Sequence, residues 1–132
     1  MTEDQTGPGV VTKVSPRSVA DTVSRLTDMI AAKGLKLFGV IDQSAAAGEV
    51  GLELRPTTLV LFGSPAAGTP VMVAAPLSAL DLPLKVLIWS DNGQTNVTYT
   101  APDALAARYH LSPDLAARLA AIDPLTDALV AP

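Results

Sequence analysis

The sequence predicts an α+β domain: a mostly antiparallel, curved sheet with a long helix packed on one face. The expected order is strand, helix, strands, helices. Three observations predict it. Residues 19–30 carry a single apolar stripe at helical spacing. Three short runs rich in Leu, Val, Ile and Phe, at 35–41, 57–62 and 84–90, are bounded by turn-forming residues, as strands are. Beyond residue 101 the pattern is helical, with three starts marked by Pro. Helices gathered on one side of an antiparallel sheet bury the apolar surface of both.

The elements follow in order. Residues 1–8 are polar and acidic and are expected to form a flexible N-terminal tail, with 9–132 as one domain. Val10, Val11 and Val14 suggest a first short strand. Ser15-Pro16 is expected to open the long helix, because Ser can cap free N–H groups and Pro fits a first turn. Val19, Val23, Leu26 and Ile30 form its stripe, and Gly34 ends it as a left-handed cap. Leu35–Ile41 reads as a strand and Gln43–Glu49 as a short Ala-rich helix stopped near Gly51. Thr57–Phe62 is a second apolar strand, broken by Gly63-Ser64-Pro65. Thr69-Pro70 is expected to open a short helix that Pro76 ends.

Leu84–Ser90 is a third strand, and Asp91-Asn92-Gly93-Gln94 is a hairpin turn into the return strand Thr95–Thr100. Alternation there predicts a packed face (Thr95, Val97, Tyr99) and a wet, hydroxyl-rich one (Asn96, Thr98, Thr100). Pro102–His110 is a helix. Ser112-Pro113 opens another carrying Leu115, Leu119 and Ile122, and Asp123-Pro124 opens a last one.

Composition excludes several function classes. The chain has 132 residues, 48% apolar and only 17% charged, which fits one folded domain and not a disordered segment. Its nine Lys and Arg are scattered and the net charge is −4, so no basic face offers itself to nucleic acid or to anionic membranes. There is no Cys, which removes disulfides, thiolate metal sites and Cys nucleophiles. The N-terminus carries no signal-peptide pattern. The longest apolar stretches, 59–62 and 71–75, fall far short of the ~20 residues a membrane span requires. A cytoplasmic protein without a cofactor is the expectation.

The middle of the chain carries a resemblance. Phe38-Gly39-Val40-Ile41-Asp42, Gly51-Leu52-Glu53-Leu54-Arg55-Pro56-Thr57 and Leu61-Phe62-Gly63-Ser64-Pro65 come in order. Gly68-Thr69-Pro70-Val71-Met72, Asp81-Leu82-Pro83-Leu84-Lys85-Val86-Leu87 and Trp89-Ser90-Asp91-Asn92-Gly93 follow, with Tyr99 beyond. The series resembles the bacterial and archaeal family called domain of unknown function 302, over about residues 10–110. The resemblance implies a fold of TATA-binding-protein-like outline and a homodimer, and it implies no activity. It also implies three departures. Gln43 stands where members often carry His, Ser64 where they often carry Asn, and Ser90 where they often carry Glu. A polar site built on those groups would lack an imidazole and a carboxylate in this chain.

Other constellations have plain readings beside functional ones. Gly63–Thr69 has the glycine spacing of a phosphate-binding loop but lacks its Lys, and Pro70 removes an N–H donor; a turn and a capped helix explain it. His110 is the only His and falls at a helix end, where neither a zinc site nor a triad can be assembled from it alone. Asp42, Asp81 and Asp91 fall at strand ends, where Asp also caps turns. Lys85 lies inside an apolar run; alternation sets it with Leu87 and Trp89 on one face, either wet or anchoring an anion. Trp89 and Tyr99 are expected to face each other across the hairpin, with Met72 over them.

Three functions fit these residues. The first is a homodimeric module binding a small amphiphilic or anionic ligand in a groove between the long helix and the sheet, with Asp42, Gln43, Ser64, Met72, Lys85 and Trp89 as candidate contacts. The second is an enzyme using carboxylate and Lys chemistry around Asp42 and Lys85, which requires those groups to converge. The third is a structural domain that docks another protein.

Overall fold

Among the described residues five strands are spaced along the chain: β1 (Val10–Ser15), β2 (Lys36–Asp42), β3 (Thr57–Gly63), β4 (Leu84–Asp91) and β5 (Gln94–Thr100). They pair antiparallel throughout into one sheet of order β1-β5-β4-β3-β2. Six α-helices accompany them: α1 (Val19–Ala32), α2 (Gln43–Glu49), α3 (Pro65–Ala74), α4 (Pro102–Tyr109), α5 (Pro113–Ala117) and α6 (Ile122–Val130), with a 3-10 turn over Pro76–Leu80. The computed structural model describes residues 9–132; the expected tail, residues 1–8, lies outside the described residues. The α+β class expected from the sequence is what the chain adopts.

The register fixes two faces. Val60, Phe62, Val86, Ile88, Val97 and Tyr99 point to one side and are buried. Leu26 and Ile30 of α1, with Ile122, Leu125 and Leu129 of α6, cover that side. Removal of these side chains from water is the main stabilising term of the fold. On the other side Leu59, Leu61, Leu87 and Trp89 are half-buried beside the hydroxyls of Thr12 and Thr98, which bond each other at 2.9 Å. A second cluster gathers Val71, Leu105 and Leu119, joining α3, α4 and the segment after α5 near the start of β4.

Local chemistry explains the turns. The β4–β5 hairpin closes over Asn92 and Gly93, both left-handed (φ 51° and 82°), the residue pair such tight turns favour. Gly34, at φ 68°, ends α1 as expected. The C-terminal stretch, residues 111–132, packs on the chain's own core through Leu119 and α6.

Five expectations are corrected. The helix cap is Ser18, whose oxygen accepts from the Asp21 N–H at 3.0 Å. Ser15 is still in β1, paired with Thr95, and its hydroxyl meets that of buried Thr22 at 2.8 Å. The third helix opens five residues early, at Ser64-Pro65, where Ser64 accepts from the Ala67 N–H at 3.2 Å. Pro70 therefore lies inside α3, tolerated because Val71 anchors that turn in the second cluster. The helix from Pro113 stops at Ala117, and α6 opens at Ile122 without a side-chain cap, with Pro124 where an N–H has no intrahelical partner anyway. Finally, Trp89 and Tyr99 sit on opposite faces. Trp89 pairs with Asn96 and donates its Nε1–H to the Thr98 hydroxyl at 3.0 Å, whereas Tyr99 is in the core with its hydroxyl on Asp123 at 2.5 Å. Asn96, expected on a wet face, is only 2% exposed.

Candidate functional site

The end of the sheet where β3 finishes and β4 begins is not filled. A cavity of about 480 Å³ opens there, within the range of small-molecule sites. Its walls come from successive elements. Lys33 and Leu35 follow the end of α1, Phe62 and Ser64 end β3, and Ala67, Gly68 and Met72 belong to the near side of α3. Leu82–Leu84 precede and begin β4, Phe38 comes from β2, and Arg118, Ile122 and Leu125 close the far side.

The sequence makes this space in a definite way. Gly63-Ser64-Pro65 turns the chain from strand to helix over the sheet end, with Gly63 buried. The residues α3 then turns inward are small, Ala67 and Gly68, so the helix cannot fill the gap between itself and α6. Met72 is the one long side chain α3 contributes, and an unbranched thioether adapts to varied neighbours.

The lining is apolar apart from a few groups. Lys33 and Arg118, both exposed, bring positive charge to it. Among the described residues the ion pairs are those of Lys13 with Asp127, Arg55 with Asp91 and Arg108 with Asp81, so neither Lys33 nor Arg118 is neutralised by an acid. Ser64 supplies a hydroxyl already engaged in capping α3. The arrangement suits an apolar body with a negative end.

Of the six candidates from sequence, two line this cavity: Ser64 and Met72. Asp42 ends β2 opposite Thr58, six residues along β3 from Ser64 and thus at the other end of the sheet. There it caps α2, accepting from the Ser44 hydroxyl at 2.7 Å and the Ala45 N–H at 2.9 Å. These bonds, the Ser44 hydroxyl first, hold its carboxyl below the usual range. Gln43 is the exposed first residue of that helix. Lys85 pairs with Leu61 and shares the face of Leu87 and Trp89, as alternation predicted. Because Thr58 is on the core face and Leu61 on the other, Asp42 and Lys85 point to opposite sides of the sheet.

A separate polar cluster lies where the 3-10 turn meets α4. The Asp81 carboxylate accepts from the Tyr109 hydroxyl and pairs with Arg108 at 2.8 Å. The Tyr109 bond, then Arg108 and the nearby Lys85 charge, hold Asp81 below the usual carboxylate range against partial desolvation. It latches two elements together, and Lys85 acts in it only as a nearby charge. No group of three His, Asp or Glu gathers in metal-binding geometry among the described residues. No helix among them is long and apolar enough to cross a membrane.

Sequence reasoning missed Phe38, Lys33 and Arg118. It concentrated on strand ends, whereas Lys33 caps a helix and Arg118 lies just past one. The available signal was the run of small residues Ala66, Ala67 and Gly68, which cannot fill a sheet end by themselves.

Comparison with known proteins agrees with this fold. The family model described as "Domain of unknown function DUF302" matches residues 11–129. A crystal structure of an uncharacterized conserved DUF302 protein from Bacillus stearothermophilus superposes with a TM-score of 0.78, covering 94% of this chain and 97% of that one at 20% identity. At that identity the likeness concerns the fold alone. Proteins named fluoride-specific ion channel FluC 1 from Brucella suis and Brucella abortus are each 39% identical over 104 residues, 78% of this chain. The match takes in only 41% and 38% of those proteins, so the chain spans about two-fifths of the length of the curated relatives it matches.

Proposed function

We propose, for a chain that belongs to the domain of unknown function 302 family, a small-ligand-binding role in which the cavity at the sheet end holds an amphiphile with an anionic head. The observation that carries this reading is the cavity itself: about 480 Å³, apolar on most of its wall, with two cations that no acid among the described residues neutralises. The apolar body rests on Phe62, Met72, Ile122 and Leu125, and the head meets Lys33 and Arg118. Burial of the ligand's chain supplies affinity, and the cations choose among head groups. The module acts as a homodimer in the cytoplasm. That the matching segment is only part of longer relatives fits a portable module of this kind.

Thermal unfolding with octanoate, dodecanoate, hexadecanoate and dodecanol tests the reading. A ligand at a hundred times its dissociation constant stabilises by about 2.7 kcal/mol, so a carboxylate of fitting length is expected to raise the melting temperature clearly. Dodecanol is expected to do less. The double substitution Lys33→Ala and Arg118→Ala is expected to erase the difference between acid and alcohol. If no member of the series shifts the transition, or if alcohol and acid act alike on the unaltered chain, the reading fails.

A further inference from the structure

The two edges of the sheet, β1 and β2, are unequal, and β2 is the open one. Six of its seven residues are exposed, against one of six in β1. Leu37, Phe38, Val40 and Ile41 are each 42–48% exposed. Natural edges are blunted by Pro, by charges along the strand, by a bulge or by a covering element. β2 contains no Pro, its charges, Lys36 and Asp42, stand only at its ends, and its one bulge, at Phe38, leaves Gly39–Asp42 regular.

We propose that β2 is the homodimer interface: β2 of one chain pairs antiparallel with β2 of a second copy, about a two-fold axis through Gly39, making one ten-stranded sheet. The proposal specifies the dimer named above and stands apart from its ligand.

The strand is complementary to itself when reversed. Its sequence, Lys36-Leu37-Phe38-Gly39-Val40-Ile41-Asp42, has a positive end, an apolar middle and a negative end. Antiparallel pairing sets each positive end beside the partner's negative end, with Lys36 on one face of the sheet and Asp42 on the other; parallel pairing would set like charges together. A bulge between Leu37 and Gly39 fixes the register further. Counted with that bulge, an axis through Gly39 keeps the faces of the two sheets in line. Leu37 then lies opposite the partner's Val40, Lys36 opposite the partner's Ile41, and the partner's Asp42 is the next residue along.

Gly39 itself supports the axis. Glycine weakens a strand unless another backbone comes close or the conformation demands it. Gly39 is not in the left-handed region, and a Cβ there would meet nothing within 4 Å in its own chain. Asp42 stays charged at its end of the strand, since the Ser44 hydroxyl and the Ala45 N–H hold its carboxyl low.

The full chain has no Cys, so one introduced thiol reports one position. Facing residues of an antiparallel pair have Cα atoms about 4.5–5.5 Å apart, inside the disulfide range of about 4.4–6.8 Å. Gly39→Cys is expected to form a covalent dimer within minutes of mild oxidation and to run at twice the chain mass without reductant. Val14→Cys, on β1 and more exposed than Gly39, is expected to remain largely uncrosslinked. The unaltered chain is expected to sediment as a dimer at micromolar concentration, and Val40→Lys as a folded monomer with unchanged circular dichroism. A monomeric unaltered chain overturns the proposal. So does a dimer in which Cys at position 39 crosslinks no faster than Cys at position 14, since the copies then meet elsewhere. Neither result depends on whether any carboxylate binds the cavity.

Discussion

β1 and β2 both end the same sheet, yet the chain finishes them in opposite ways. β1 is closed from within. Lys13 points to the core side, where its ammonium donates to the Thr126 hydroxyl at 2.7 Å and the Asp123 carbonyl at 3.1 Å, and pairs with Asp127 at 2.8 Å. It also stands 5.2 Å from the Tyr99 ring centroid, while the Tyr99 hydroxyl holds Asp123. Arg17 adds two more bonds, to the carbonyls of Leu129 and Ala131. Apart from Tyr99 of β5, these groups belong to α6 or its end, so the last helix is strapped to the first strand. Among the described residues β2 has only the local cap that Asp42 makes to the α2 residues following it. The difference teaches that an edge is closed by polar anchoring of a neighbouring helix, and that an apolar strand without such an anchor is left available for pairing.

The largest expected effect comes from cutting the strap. The Lys13 side chain is only 18% exposed, and hydrogen bonds from a charged donor contribute about 1.5–3 kcal/mol where they are sheltered. Asp127 is 71% exposed, so the ion pair itself adds little and the bonds to Thr126 and Asp123 carry the effect. Lys13→Ala is expected to destabilise by about 2–3 kcal/mol in urea unfolding, a fall in melting temperature on the order of 10 °C. Val40→Ala at the open edge, measured in dilute monomer, is expected to change stability by well under 1 kcal/mol. Equal losses at the two sites would break the contrast.

The same strap responds to alkali. Burial works against the Lys13 charge, but Asp127 and Tyr99 outweigh it and raise the folded pKa above that of an ordinary lysine. A raised pKa means stability that is fully present below the unfolded value and is lost as pH rises through the folded one. The stability gap between the unaltered chain and Lys13→Met is therefore expected to stay constant up to about pH 10 and to shrink above it. A gap that shrank between pH 6 and 8 would show that another group carries the edge.

How far the sequence foretold this follows from what each residue depends on. The long helix, the hairpin over Asn92-Gly93 and the alternation that put Lys85 with Trp89 depend on neighbours in sequence, and all were legible. The helix starts were misplaced by three to five residues where two cap signals stood close together, Ser15 against Ser18 and Ser64 against Thr69. Strand pairing decided the first and burial of Val71 the second, and neither is local. Trp89 and Tyr99 lie within hairpin distance in sequence, but register decides the face, and one residue of offset moves a side chain to the other one. The cavity was half legible. Ser64 and Met72 were singled out, but Lys33 and Arg118 come from elements 85 residues apart and meet only through the packing of α1, α3 and α6.

The smallest effects sharpen the comparison through two glycines. Gly9 leads into β1 with φ 78°, and a Cβ there would meet the Ala104 Cβ at 2.9 Å. Gly39 lies within β2 with open space around it and no left-handed backbone. A left-handed alanine costs roughly 1–2 kcal/mol, so Gly9→Ala is expected to lose at least that, with the clash against α4 added. In an ordinary strand conformation alanine instead recovers some of the entropy glycine loses on folding, worth roughly 0.5–1 kcal/mol at most. Gly39→Ala is therefore expected to be neutral or slightly stabilising when the monomer is unfolded at nanomolar concentration. A loss there as large as that of Gly9→Ala would mean that Gly39 is required by its own chain's packing. The reason given for placing the two-fold axis at that residue would then disappear.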